Sequence, residues 1–72
     1  MTVRDLLTAA EDYLEVKIIK NNEELFWNEI DGLYDMDKEL LDMTVFRYDY
    51  ETVVVLDSIM SANYRIILIE VQ

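Results

Sequence analysis

Few residues in this chain could do chemistry, and their types narrow the field quickly. There is no His and no Cys, so the usual general base near neutral pH, the thiolate nucleophile, the soft metal ligands and any disulfide are all missing. Hydroxyls and carboxylates remain. A hydrolytic or transfer site needs a nucleophile, a base and a stabilising donor within reach of one another. Ser58, Ser61 and the threonines are the available hydroxyls, and no spacing joins any of them to a paired carboxylate. A single glycine, Gly32, excludes a Gly-rich phosphate-cradling loop. Asp35-x-Asp37-x-Glu39 looks like the opening of an oxygen-ligand calcium loop, but its sixth position is Leu40 where that loop needs Gly, and its twelfth is Phe46 where it needs Glu. The residues therefore predict a non-enzymatic protein with no metal and no other cofactor.

Carboxylates dominate what is left. Sixteen Asp and Glu stand against six Lys and Arg, a formal net charge of −10, which argues against direct binding to nucleic acid or an anionic membrane. The excess is localised. Residues 1–20 hold four acids and three bases, residues 21–57 hold eleven acids and two bases, and residues 58–72 hold one of each. Glu23, Glu24, Glu29, Asp31, Asp35, Asp37, Glu39 and Asp42 cluster most tightly. Two readings fit that cluster. One is a solvated face that keeps a small domain in solution at the cost of some self-repulsion. The other is a partner-binding surface: carboxylates at i, i+4 on a helix, such as Asp35 and Glu39, lie about 6 Å apart, close to the spacing of phosphates along a nucleic-acid strand. Such a surface would be steered into a basic groove and displace the nucleic acid bound there.

The aromatics divide less clearly. Phe46, Tyr48 and Tyr50 share one face of any regular strand, and Leu25, Phe26 and Trp27 stand in a row, so alternation does not say which of Phe26 and Trp27 points inward. Base-stacking platforms interleave aromatics with Lys and Arg; only Arg47 is near, so core packing is the expectation for most of them. An exposed Trp27 would instead be an interface anchor.

The elements that position these residues follow from period and punctuation. Thr2 with Asp5 three residues on predicts a capped helix, and Val3, Leu6, Leu7 and Ala10 give it one apolar stripe ending near Glu11 or Asp12. Leu14, Val16 and Ile18 alternate with Glu15 and Lys17 as a half-buried strand, Asn21-Asn22 makes a two-residue turn, and a return strand runs over about residues 23–30. Gly32 marks a turn, and Asp35 caps a second short helix to about Met43, with Leu40, Leu41 and either Met36 or Met43 inward. Residues 44–56 read as one long strand, with a bulge or turn near Asp49 to Glu51 as the alternative. A loop over residues 57–63 leads to a final strand over 64–71, central because Ile66 to Ile69 are all aliphatic. The order α-β-β-α-β-β predicts a small single α+β domain over residues 1–72, a four-stranded, mostly antiparallel sheet with two short helices on one face.

Seventy-two residues, 53% of them apolar, suffice for one core. No aliphatic run exceeds four residues and no export signal is visible, so a soluble cytoplasmic protein is expected. A domain this short buries only about 60% of its unfolded surface, which predicts a homodimer through an edge strand or an apolar sheet face.

The opening Thr2-Val3-Arg4-Asp5-Leu6-Leu7, the strand around Val16 to Ile18 and the stretch Lys38-Glu39-Leu40-Leu41-Asp42 resemble, over residues 2–48, short acidic proteins encoded by phages and mobile elements of Gram-positive bacteria. That resemblance implies a host-parasite setting, in which small acidic proteins inhibit defence nucleases and include CRISPR inhibitors. The combined expectation is an inhibitor that blocks a nucleic-acid-binding defence protein by entering its basic groove through Glu23, Glu24, Trp27, Glu29, Asp31, Asp35, Asp37, Glu39 and Asp42. The alternative is a structural or regulatory module that self-associates through its sheet.

Overall fold

A computed structural model describes residues 1–10, 13, 15–56 and 61–72. It contains helix α1 (Val3–Ala9), strands β1 (Glu15–Lys20) and β2 (Glu23–Glu29), a 3₁₀ turn (Leu33–Asp35), helix α2 (Lys38–Leu41), and strands β3 (Val45–Leu56) and β4 (Ser61–Val71). The strands form one mixed sheet in the order β2-β1-β4-β3. β1 and β2 pair antiparallel, as do β3 and β4, while the two central strands, β1 and β4, run parallel. The α+β class, the element order and the central position of the last strand are as the sequence predicts.

One face of the sheet carries the core. Val16 and Ile18 of β1 lie beside Ile67 and Ile69 of β4 in the parallel register, and all four are fully or almost fully buried. Val3, Leu6 and Leu7 of α1, Leu41 of α2 and Met36 join the same cluster, so both helices cover that face. Ile66 is also buried but sits on the opposite side of the sheet, outside this cluster.

Local chemistry sets the ends of the elements. The Thr2 hydroxyl accepts from the Asp5 N–H while the Asp5 carboxylate accepts from the Thr2 N–H, a complete capping box. That contact with the Thr2 backbone holds the Asp5 carboxyl below its ordinary range. Because the folded value is depressed, the stabilisation is complete above the ordinary carboxylate range and fades as pH falls through the folded value. α1 ends earlier than its stripe suggests, with Ala10 as its extended C-cap; Glu11, Asp12 and Leu14 lie outside the described residues. Asn21 and Asn22 have φ of 52° and 65°, the left-handed pair that a two-residue hairpin turn requires.

Two expectations need correction, and a third, one long strand over residues 44–56, holds. Asp37, not Asp35, is the N-cap of α2, and α2 is a single short turn of helix. The Asp35 carboxylate instead accepts from the Asp31 N–H at 2.8 Å, which closes the 3₁₀ turn and separates it from α2. Residues 61–63 are not loop: they pair with Leu56, Val55 and Val54, because backbone pairing to a β-branched run outweighs their polar composition; residues 57–60 lie outside the described residues. β3 is one continuous strand, and its irregularity falls between Val45 and Arg47 rather than near residues 49–51.

Two measurements test this account. Thr2→Ala should lower unfolding stability by about 1 kcal/mol while Thr2→Ser leaves it nearly unchanged, read as a shift in urea midpoint. Ile67→Ala should cost about 2–5 kcal/mol, since it opens a cavity beneath both helices.

Candidate protein-binding surface

A β-bulge decides what β2 displays. From the hairpin turn, Lys20 pairs with Glu23 and Ile19 with Glu24; a regular register would next set Ile18 against Leu25 and Val16 against Trp27, on the core side. The register shifts here, so that Leu25 is passed over, Ile18 pairs with Phe26 and Lys17 with Trp27. One extra residue reverses the faces of all that follow. Phe26 consequently packs against the core, and Trp27 emerges on the face without helices, 51% exposed. This decides between Phe26 and Trp27, which alternation leaves open: Phe26 is the inward residue.

Trp27 is held in place by its neighbours. Its Nε1 donates to Glu15 Oε2 at 3.0 Å, and Lys17 Nζ sits 4.3 Å from the ring centroid, a cation–π contact. Glu15 lies directly opposite Glu29, a like-charge pair that costs stability. Their effect reaches Tyr64: partial burial first, then the Glu15 and Glu29 carboxylates, push its phenol above the ordinary value. The ring therefore stands in a negative neighbourhood relieved by one lysine.

The remaining carboxylates are distributed along β2 and the segment that follows it. Glu23 and Glu24 lie beside the hairpin turn and Glu29 at the far end of β2, about 20 Å away at 3.4 Å per residue. Asp31 and Asp35 are joined through the turn described above. Asp37, Glu39 and Asp42 belong to α2 and its two caps. All eight are exposed, and Asp42 is paired with Arg4 at 2.5 Å. Asp35 and Glu39 occupy separate turns rather than one helix, so the even i, i+4 spacing that would copy a phosphate strand is not formed. Among the described residues no three acidic side chains converge on a point that could hold a metal ion.

Sequence reasoning misses further exposed aromatics on β3. A second bulge sets Val45 opposite Val71 and Arg47 opposite Glu70 and leaves Phe46 unpaired, 61% exposed and no longer on the side of Tyr48 and Tyr50. Core packing is thus the wrong expectation for Phe46. Tyr48 is also largely exposed, edge-on to the half-buried Tyr50 with ring centroids 6.2 Å apart. Arg47 pairs with Glu70 across the strands. Lys17, Ile19, Arg47, Asp49, Leu68 and Glu70 border a shallow groove of about 380 Å³. The alternation of Glu15 and Lys17 with buried Val16 and Ile18 was a legible sign that they share the open face; the bulges had none.

As the only tryptophan, Trp27 reports on its own surroundings. Its fluorescence in the folded protein should be quenched readily by acrylamide, and more by caesium than by iodide at low salt. Equal quenching by the two ions, each relative to its quenching of free tryptophan, would mean that no negative potential surrounds the ring. Comparison of the chain with protein-family models, with curated proteins and with solved structures finds no match.

Proposed function

We propose that this is a non-enzymatic binding protein that engages a basic protein surface through the edge strand β2, with Trp27 as the apolar anchor and the carboxylates of residues 23–42 as the charge complement. The observation that carries this reading is the placement of Trp27. A large aromatic held half-exposed by a hydrogen bond and a cation–π contact, on a strand where every residue but Phe26 is exposed, is ordered before binding and loses little freedom on contact. Eight exposed carboxylates flank it, with Lys38 the one base in that stretch of sequence, so association would be steered by charge and completed by apolar burial. The fitting partner class is a protein whose basic groove handles nucleic acid; occupying that groove would exclude its ligand. For a protein resembling those of phages and mobile elements, a host defence protein is the natural member of that class. The broken spacing between Asp35 and Glu39 favours general charge complementarity over close imitation of a phosphate strand. Self-association is a second mode, favoured by the uncharged end of β3.

The test starts from capture of a partner from bacterial extract on the immobilised protein, followed by titration of that partner against a labelled duplex. Release of the duplex is expected. Trp27→Ala should weaken the interaction about thirtyfold, the factor for a hot-spot loss of about 2 kcal/mol, without changing the melting temperature. Glu29→Lys with Asp35→Lys should weaken it further, and two charge reversals away from β2, Asp49→Lys with Glu51→Lys, much less. Capture that persists at about 1 M salt, where screening shrinks to about 3 Å, and that ignores Trp27→Ala would overturn the proposal.

A further inference from the structure

The two edge strands are protected very differently. β2 carries Glu23 and Glu24 at one end, Glu29 at the other and the Leu25 bulge between them. Pairing it antiparallel with its own copy would set these carboxylates against one another. Charged side chains and bulges are the usual guards of a free edge. The first half of β3 is guarded in the same way by the Phe46 bulge, Arg47, Asp49 and Glu51. Its second half is not. Thr52–Leu56 has no charge and no proline, four of its five residues are β-branched, and it stays in unbroken one-to-one register with β4 out to Leu56 opposite Ser61.

That half also projects from the body of the sheet. The pairing of β1 with β4 begins at Glu15 opposite Ile66, level with Glu51 of β3. The five residue pairs beyond extend about 17 Å at 3.4 Å per residue. Val54 points to the side that the helices cover elsewhere, yet it is 57% exposed. A two-stranded ribbon is marginal in water by itself.

We propose that Thr52–Leu56 pairs antiparallel with the same segment of a second copy, centred on Val54, so that two four-stranded sheets join edge to edge into one of eight strands. The register sets Val54 opposite its counterpart and Val53 opposite Val55 of the other copy, the β-branched cross-strand pairs that sheets favour. The segment is complementary to its own copy, and charge selects this edge over β2 for the pairing. Two chains at −10 each repel, and the order β2-β1-β4-β3 then continues in mirror sequence, with the acidic β2 strands at the two outer edges. Seven inter-strand steps of about 4.8 Å separate them by roughly 34 Å, several times the screening length of about 8 Å at physiological salt. Both Trp27 sites stay free.

Sedimentation equilibrium of the full chain over a range of concentrations tests the pairing. A monomer–dimer equilibrium is expected that tightens as salt rises, the reverse of the salt response expected for charge-led partner binding. Val54→Lys, which sets two ammonium groups face to face, should abolish the dimer while circular dichroism shows a folded chain; Glu24→Lys and Trp27→Ala should leave it intact. Hydrogen exchange on the unaltered protein needs no variant: the amides of residues 52–56 should gain protection with concentration. A monomer at every concentration and salt, a dimer that survives Val54→Lys, or protection that appears on β2 instead would overturn the pairing, and the first two results leave the role of Trp27 untouched.

Discussion

The parallel pairing of β1 with β4 is the constraint on which the other elements depend. Parallel strands cannot be joined by a tight turn, so everything between them must travel from β1 back to the starting end of β4. Here that path is β2, the acidic segment with its 3₁₀ turn, α2 and β3. Val16 and Ile18 beside Ile67 and Ile69 make a continuous apolar strip across the two central strands, and the helices supply its cover. The chain ends are tied into one edge of this arrangement. The Val45 N–H donates to the Met1 carbonyl at 2.8 Å, the Val3 N–H to the Met43 carbonyl at 2.9 Å, and the Gln72 N–H to the Thr44 carbonyl at 3.1 Å. The start of α1, the end of α2 and the last residue are thereby held together by backbone bonds.

One covered face implies one open face. In a larger α/β protein a second layer of helices would bury it; here both helices pack on the other face. Ile66 and Leu68 are tolerated there because Glu15 and Glu51, and Lys17 and Asp49, flank them in register and leave only a shallow groove. The two bulges serve this face in the same way. Each lies in an edge strand, each offsets the register by one, and each delivers an aromatic, Trp27 or Phe46, to the side without helices. A bulge also twists an edge away from indiscriminate pairing, so the features that expose these rings limit aggregation at the same positions.

Charge is organised by the same topology. The acidic stretch begins at one edge of the sheet and crosses toward the other, where α2 meets β3, so the carboxylates concentrate on β2 and the segment after it, and the far end of β3 is left uncharged. The proposed steering toward a basic surface and the proposed pairing with a second copy would thus use different regions of one small domain, separated by the width of the sheet.

Much of this was legible in the residues. Period-two alternation gave the inward face of β1, the Thr2 and Asp5 spacing gave the start of α1, Asn21-Asn22 gave the turn, and the aliphatic run at Ile66 to Ile69 placed β4 in the centre. These are local consequences of backbone geometry and side-chain type, and they need no knowledge of distant residues. The acidic bias of residues 21–57 was equally plain, though its arrangement was not: whether Asp35 and Glu39 share a helix depends on a hydrogen bond from Asp31 that competes with helix formation. The faces of Phe26, Trp27 and Phe46 belong to the tertiary structure alone. A bulge is settled by which side chain fits the core once the helices and central strands are in place, and since strand periodicity is two, a single passed-over residue turns every later side chain from one face of the sheet to the other.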